Sequence, residues 1–422
     1  MTRRGASWLA AGYLGFVLLV TFNVVLAVWA TAHVALLAGG DRSNATGLML
    51  LAIAGLVVLL WAAMARAGTH LQWWLVAALA LWLVPVALSM SLHGALRDGR
   101  FWLMAVIMPA VGAAGVLISP ILLRGFLLGL GWIAGWGSVL AGLSCAWFGW
   151  PPALAGGEER FGRWLSLAGL DLGEVRFLNG LMLGRVYVGL TCGLLLVYTV
   201  RVLLGGGYAK WWWLSPVGML FATAWAFSRT GLVIVVLGLL AALVPWERLR
   251  TWWLVTALFA VVMLPVLASP LLRQTGISDG TTVWRFDLWR DYVARSGMWT
   301  PFGIGPQPAS VAYADHAHQQ LLEAQATGGW LSLVGCIAFM VLGCIAARRT
   351  GDNRAAIAVL FGMAAIFQVD VVTFTNNYAV VNNAFVIIVA VLVSAAGNPA
   401  SQPGVGEFPE QPLDVVEDSV GS

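Results

Sequence analysis

Charge is what this chain has least of. Only 10% of its 422 residues are Asp, Glu, Lys or Arg, against about a quarter in a soluble protein. That scarcity excludes an ordinary water-soluble domain. Histidine is nearly as rare, with five in all, so a close pair of them stands out. The four cysteines (Cys145, Cys192, Cys336, Cys344) fall inside apolar runs. No two have metal-ligand spacing, which leaves them as small core residues. There is no basic patch suited to nucleic acid: the net charge of +4 comes from Arg and Lys beside apolar runs. No internal repeat is visible, whereas secondary transporters often show two halves with matching broken helices.

What is there is apolar. Sixty per cent of residues are hydrophobic. Runs of 18 or more recur along the chain, each long enough to span a bilayer as a helix. A β-barrel would instead show short alternating strands. The expected fold is an all-α polytopic membrane protein of about twelve transmembrane helices. The spans are expected near residues 10–34, 46–65, 72–92, 101–123, 125–148, 180–204, 211–228, 230–246, 251–268, 329–347, 354–373 and 378–397. The first run lacks a small-residue cleavage site, so no cleaved signal peptide is expected. Tryptophan, used 23 times, gathers near span ends, as in aromatic belts at the lipid–water boundary.

The positive-inside rule orients the spans. With Arg3 and Arg4 cytoplasmic, the inside also receives Arg66, Arg124, Arg201 with Lys210, Arg248 with Arg250, and Arg348, Arg349 and Arg354. One segment, Leu96–Arg100, dissents. Both termini are then cytoplasmic. Residues 1–397 form one transmembrane domain, and the acidic, Pro/Gly/Ser-rich tail 398–422 is expected to be disordered. Two longer loops face outward. One covers residues 151–179, and the other covers 269–328 and contains short helices.

The second loop holds most of the polar chemistry. In GTTVWRFDLWRDYVARSG, Trp284, Leu288 and Tyr292 repeat at i, i+4, i+8, giving a short helix with one apolar face. Thr281 or Thr282 is placed to cap it. Such a helix suits the membrane surface, with its arginines near headgroups. Asp287 and Arg290 are spaced as an ordinary surface pair. Arg285 is either a solvated charge or a phosphate ligand, since a guanidinium binds phosphate oxygens two at a time. The Pro301–Pro306 segment reads as a tight turn. His316 and His318 lie two apart, without a third histidine or a carboxylate at supporting spacing, so a metal is the lesser reading. Imidazole titrates near neutrality and is suited to act as a general base. His318 opens a helical pattern, HQQLLEAQATGG, that runs toward the next span. Far from this loop, Arg229 sits between two apolar runs on the outer side. Either it snorkels or it binds an anion, and the positive-inside bias would not select it there.

At these residues the chain resembles the bacterial O-antigen ligase/polymerase family of membrane glycosyltransferases. Ser228-Arg229-Thr230-Gly231 is similar to the family's Ser-Arg-Thr/Gly segment. Trp284–Trp289, followed by Pro301-Phe302-Gly303-Ile304-Gly305, resembles its Arg-x-x-hydrophobic-Trp stretch and Pro-x-Gly-x-Gly turn. His318-Gln319, with Gly329 eleven residues after the histidine, resembles its His-Asn/Ser/Gln motif and following Gly-x-x-Gly. The second glycine of that motif is Ser332 here. Residues 176–190 resemble the first outer segment, and the matches span roughly 176–347. The resemblance implies a GT-C-like bundle and a glycan donor on undecaprenyl pyrophosphate. It implies Arg229 and Arg285 on the pyrophosphate, His318 as the base that activates an acceptor hydroxyl, inversion at the anomeric carbon, and no metal or other cofactor. Arg176, Arg290, Trp289 and His316 are further candidates for substrate contact. The implied place is the bacterial inner membrane, among its lipids, working on the periplasmic side. The acceptor is expected to be a lipid A–core sugar, as in a ligase. The end of another lipid-linked glycan (a polymerase) or a protein hydroxyl (a protein O-oligosaccharyltransferase) are the alternatives. A transporter or flippase for lipid-linked sugars is the rival of another class, and a loop that only binds a partner is a third.

Overall fold

The structure is a computed structural model. It describes residues 73–92, 120–140, 142–143, 162–167, 170–176, 185–275, 280–294, 300–305, 317–349, 353–369, 387–388 and 391–392. The expected spans near 10–34 and 46–65, nearly all of 101–123 and 378–397, the tail from 398, the Leu96–Arg100 segment and His316 lie outside the described residues.

The described chain is predominantly helical. In order it forms α1 (Trp73–Leu92), α2 (Pro120–Trp132), α3 (Arg185–Leu204), α4 (Leu214–Trp225), α5 (Arg229–Leu243), α6 (Thr251–Thr275), α7 (Gly280–Ala294), α8 (Gln320–Arg349) and α9 (Asn353–Val369). Local chemistry explains several ends. Gly206 and Gly207, both at φ 83, stop α3 in a conformation that glycine adopts without strain. Ser228 caps α5, its Oγ accepting from the Gly231 N–H at 3.1 Å. Val244, held extended by the following Pro245, closes the same helix.

Two described helices, Val186–Leu204 and Gln320–Arg348, are long and apolar enough to cross a membrane. Shorter apolar helices lie within α1, α5, α6 and α9, and another runs from Leu127 in α2 to Leu140. The surface of the bundle is itself apolar. Leu232, Val233, Val236, Leu240 and Leu243 of α5 are exposed, as are Val217, Leu220 and Phe221 of α4. Hydroxyls and amides lie inside instead, at Thr191, Thr199, Thr223, Ser332 and Gln325. Apolar outside and polar inside inverts the arrangement that water selects, and suits an apolar solvent.

Small residues set the helix contacts. Gly189 of α3 and Gly231 of α5 face each other so closely that a Cβ on Gly231 would lie 2.7 Å from the Gly189 Cα. Gly238 meets the Ala358 carbonyl of α9, and Gly362 of α9 meets Leu194 and Ile234. α1 runs antiparallel to α8: Gly335 abuts Leu81 and Trp82, while Gly328 abuts Val86. Pro85 has no N–H to offer its own helix. Beside that gap the Ser332 hydroxyl donates to the Trp82 carbonyl at 2.7 Å. The departure from glycine at 332 thus contributes a hydrogen bond to the α1–α8 contact. The fully buried Trp82 ring packs on Phe339 and Phe367.

Polar contacts define one end of the bundle. Arg348 at the end of α8 donates to the Leu249 carbonyl, and Arg354 at the start of α9 meets Glu247 at 2.6 Å. The last residues of α5 and α8 therefore lie together with the first residues of α6 and α9. The first residue of α5, Arg229, and the break in α8 at Gly329 therefore both lie away from this end.

Three expectations change. The break expected at Arg124 moves to Pro120, where α2 begins. Proline is at ease in a first turn, and Arg124, half-buried, rides inside the helix. α2 then runs into a π-turn at Ile133–Gly137. There the Ala134 carbonyl accepts from Cys192 Sγ at 3.5 Å, and the Trp136 indole donates to Leu214 at 2.9 Å. Second, α6 runs past the loop edge expected at Ser269 to Thr275, while the helix that begins at Gln320 is broken at Gly329, where the next span was expected to start. Third, part of the loop expected over 151–179 is a two-stranded antiparallel hairpin, β1 (Gly162–Leu167) with β2 (Leu170–Arg176), with an irregularity between Trp164 and Ser166.

Candidate functional site

The site is organised by the three residues before α8. Ala317, His318 and Gln319 form a strap into the helix. Gln319 is its cap: its Oε1 accepts from the Leu322 N–H at 2.7 Å, and its carbonyl accepts from the Glu323 N–H at 2.9 Å. Glu323 is only 2% exposed. Its Oε2 turns back and accepts from the Ala317 N–H at 2.8 Å. A carboxylate in the first turn also suits the positive end of the helix. From the other side, the Trp289 indole donates to the Ala317 carbonyl at 2.7 Å. Both backbone groups of Ala317 are thus held by side chains from different helices. Between them His318 takes φ 49, a left-handed conformation uncommon for a residue with a Cβ.

α7 is the wall beside this strap. Phe286, Leu288, Trp289 and Tyr292 are its buried residues. The expected apolar face included Trp284, but that ring is 44% exposed. It stands edge-on to the His318 imidazole instead, with ring centroids 5.7 Å apart. Leu288 and Tyr292 pack with Ala317, Ala326, Ile304 and Leu322 in a small cluster of their own, apart from the main core. Arg285 is half-buried on the same helix, next to Trp284. Arg290 is exposed and pairs with Asp287 at 3.5 Å, the ordinary surface pair that their spacing suggests.

The turn at residues 300–305 is the floor. α8 is broken at Gly329, which has φ 71 and ψ −170, a region open essentially to glycine alone. The break leaves backbone groups without helical partners. The turn supplies them: Trp330 N–H donates to Thr300 O at 3.2 Å, Leu331 N–H to Pro301 O at 3.4 Å, and Ile304 N–H to Ala326 O at 2.8 Å. Gly303, at φ 64, lies so close that a Cβ there would meet the Ala326 carbonyl at 2.5 Å. The glycines of the two motifs are therefore partners of one another, backbone against backbone.

Arg229 is the first residue of α5 and is exposed. Phe227, at φ 46, and the buried Ser228 cap turn the chain there. A cation at the positive end of a helix is unfavourable for the helix, so helix stability does not explain an arginine at this position. An anion there would be favoured by both the N–H groups and the guanidinium.

The candidates therefore divide. His318 and Trp284 touch, and Arg285 follows Trp284 on α7. Arg229 stands on a different helix, at the start of α5. Trp289 is buried with its N–H engaged by the strap, so it stands behind the site rather than lining it. Arg176 closes β2, paired in register with Gly162. Glu323 escaped sequence reasoning, although an acid in the first turn after a polar cap was a readable signal. Among the described residues, no group of three or more His, Cys, Asp or Glu is placed to hold a metal ion. Compared with family models, curated proteins and solved structures, the chain gives no match.

Proposed function

We propose that this chain is an inner-membrane glycosyltransferase of the O-antigen ligase type. It moves a glycan from undecaprenyl pyrophosphate to a hydroxyl of a lipid A–core sugar on the periplasmic side, as one multi-pass bundle with both termini in the cytoplasm. The supporting observation is a clamped histidine whose ring meets Trp284, on the helix that also carries the half-buried Arg285. A site at the end of the bundle, rather than halfway along it, suits a reaction at the membrane surface.

In this reading the His318 imidazole takes the proton of the acceptor hydroxyl. The freed oxygen attacks the anomeric carbon from the face opposite the pyrophosphate. The bond from that carbon to the phosphate oxygen breaks, and its electron pair leaves with undecaprenyl pyrophosphate, so the configuration inverts. Arg229 and Arg285 stabilise the charge that develops on the leaving oxygen. The strap matters because its backbone is held before substrate arrives.

The deciding experiment mixes purified protein, a glycan on undecaprenyl pyrophosphate, and in turn a lipid A–core acceptor, a second lipid-linked glycan and an acceptor protein. A lipid A–core product supports the ligase reading, and either other product moves the chain to the corresponding alternative. No product with any acceptor, together with movement of the donor across proteoliposomes, would favour the flippase.

A further inference from the structure

Ala317 is gripped at both its N–H and its carbonyl, and neither grip belongs to the helix pattern itself. Glu323 holds the N–H, Trp289 holds the carbonyl, and the next residue is His318 in its left-handed conformation. A buried carboxylate is costly unless its oxygens find donors, so its placement calls for a return. The return is local: the two bonds together fix φ and ψ of Ala317, the residue before the histidine. Trp289 adds a second constraint from α7, the helix that also brings Arg285 and Trp284. Moving the strap would therefore change the distance between imidazole and arginine, the distance a transfer reaction depends on.

We propose that Glu323 and the Trp289 indole N–H are positioning residues that hold the His318 imidazole against the face of α7; this rests on His318 being the base of the transfer reaction. Glu323 acts as a hydrogen-bond acceptor for the Ala317 N–H, and its charge is secondary. Neither residue touches substrate.

The test uses the full-length protein in detergent or nanodiscs, with the lipid-linked donor and the acceptor that gives product. Glu323→Ala is expected to lower kcat about a hundredfold with donor KM nearly unchanged, since the arginines remain. Glu323→Gln keeps an acceptor at the same reach and is expected to recover most of that loss. Trp289→Phe keeps the packed ring, removes only the N–H, and is expected to lower kcat in the same manner. It also serves if Glu323→Ala does not fold. Wild-type kcat in Glu323→Ala or in Trp289→Phe overturns the proposal. Glu323→Gln as inactive as Glu323→Ala, with both folded, also overturns it, because charge rather than the bond would then matter. His318→Ala is run in parallel. If it transfers like wild type, the reading beneath fails. If it is inactive while Glu323→Ala is normal, only the positioning role fails.

Discussion

At one end of the bundle, long charged side chains in water tie the helices together: Arg354 reaches Glu247, and Arg348 reaches Leu249 and Thr251. At the other end the ties are short and buried, with Gln319, Gln320, Glu323 and Thr327 all shielded from solvent. Thr327 Oγ1 donates to the Glu323 carbonyl at 2.6 Å, continuing the chain of bonds that starts at Trp289. The first kind of tie tolerates movement, because exposed ion pairs contribute little and reform easily. The second does not, since a buried polar group must keep its partner. Rigidity is thus concentrated at the end where the proposed chemistry occurs.

The largest effect that should follow from this contrast is chemical. His318→Ala and Arg285→Ala are each expected to lower glycan transfer by at least about a hundredfold, with normal membrane insertion, measured by product formation in vitro. The same substitution at Arg354 is expected to leave the rate unchanged. Next is the helix break. Gly329→Ala forces a Cβ into a glycine-only conformation and against the 300–305 turn. It should cost about 2 kcal/mol or more, seen as a lowered unfolding temperature in detergent, and transfer should fall with it. Ser332→Ala removes the hydroxyl from the Trp82 carbonyl and should cost about 1 kcal/mol, with transfer retained.

The smallest effect belongs to the exposed pair. The Glu247 carboxyl is held below its ordinary range by a backbone N–H and then by the Arg354 guanidinium. A lowered value in the folded state means that the contribution is present above the ordinary carboxyl range. It is lost as pH falls through the lowered value. Unfolding temperatures of wild type and Glu247→Gln should therefore differ, slightly, only above that range and converge in acid. A difference persisting at low pH would mean that the tie depends on shape rather than charge.

Hydropathy located the described apolar helices well, because burial of apolar residues and membrane thickness both leave a mark in composition. It located their ends poorly. It reports where a helix leaves the apolar layer, whereas the backbone stops where its hydrogen bonds do. α6 therefore continues past Ser269 to Thr275, while the span expected from 329 does begin at the Gly329 break in α8. α7 already contains Thr281 and Thr282, the residues expected to cap it, whereas a helix after His318 running toward the next span was legible from its pattern. The exposure of Trp284 was not, because its partner is a histidine 34 positions along the chain rather than a core. The pairing of Gly303 with Gly329 was equally hidden, since each glycine alone reads as a turn or a weak helix position. Nor does a sequence show that a buried Glu323 will reach backward to the residue before the histidine.

The turn lodged in the α8 break has a practical consequence for exchanging parts between proteins of this shape. A chimera that replaces the 300–305 turn but keeps the host's α8 would put a foreign turn into a gap cut for another. The stretch from Gly280 through Ser332 should instead travel as one cassette, with both glycines on board. Its borders are best set in the uninterrupted helix beyond Ser332 and before the first residue of α7.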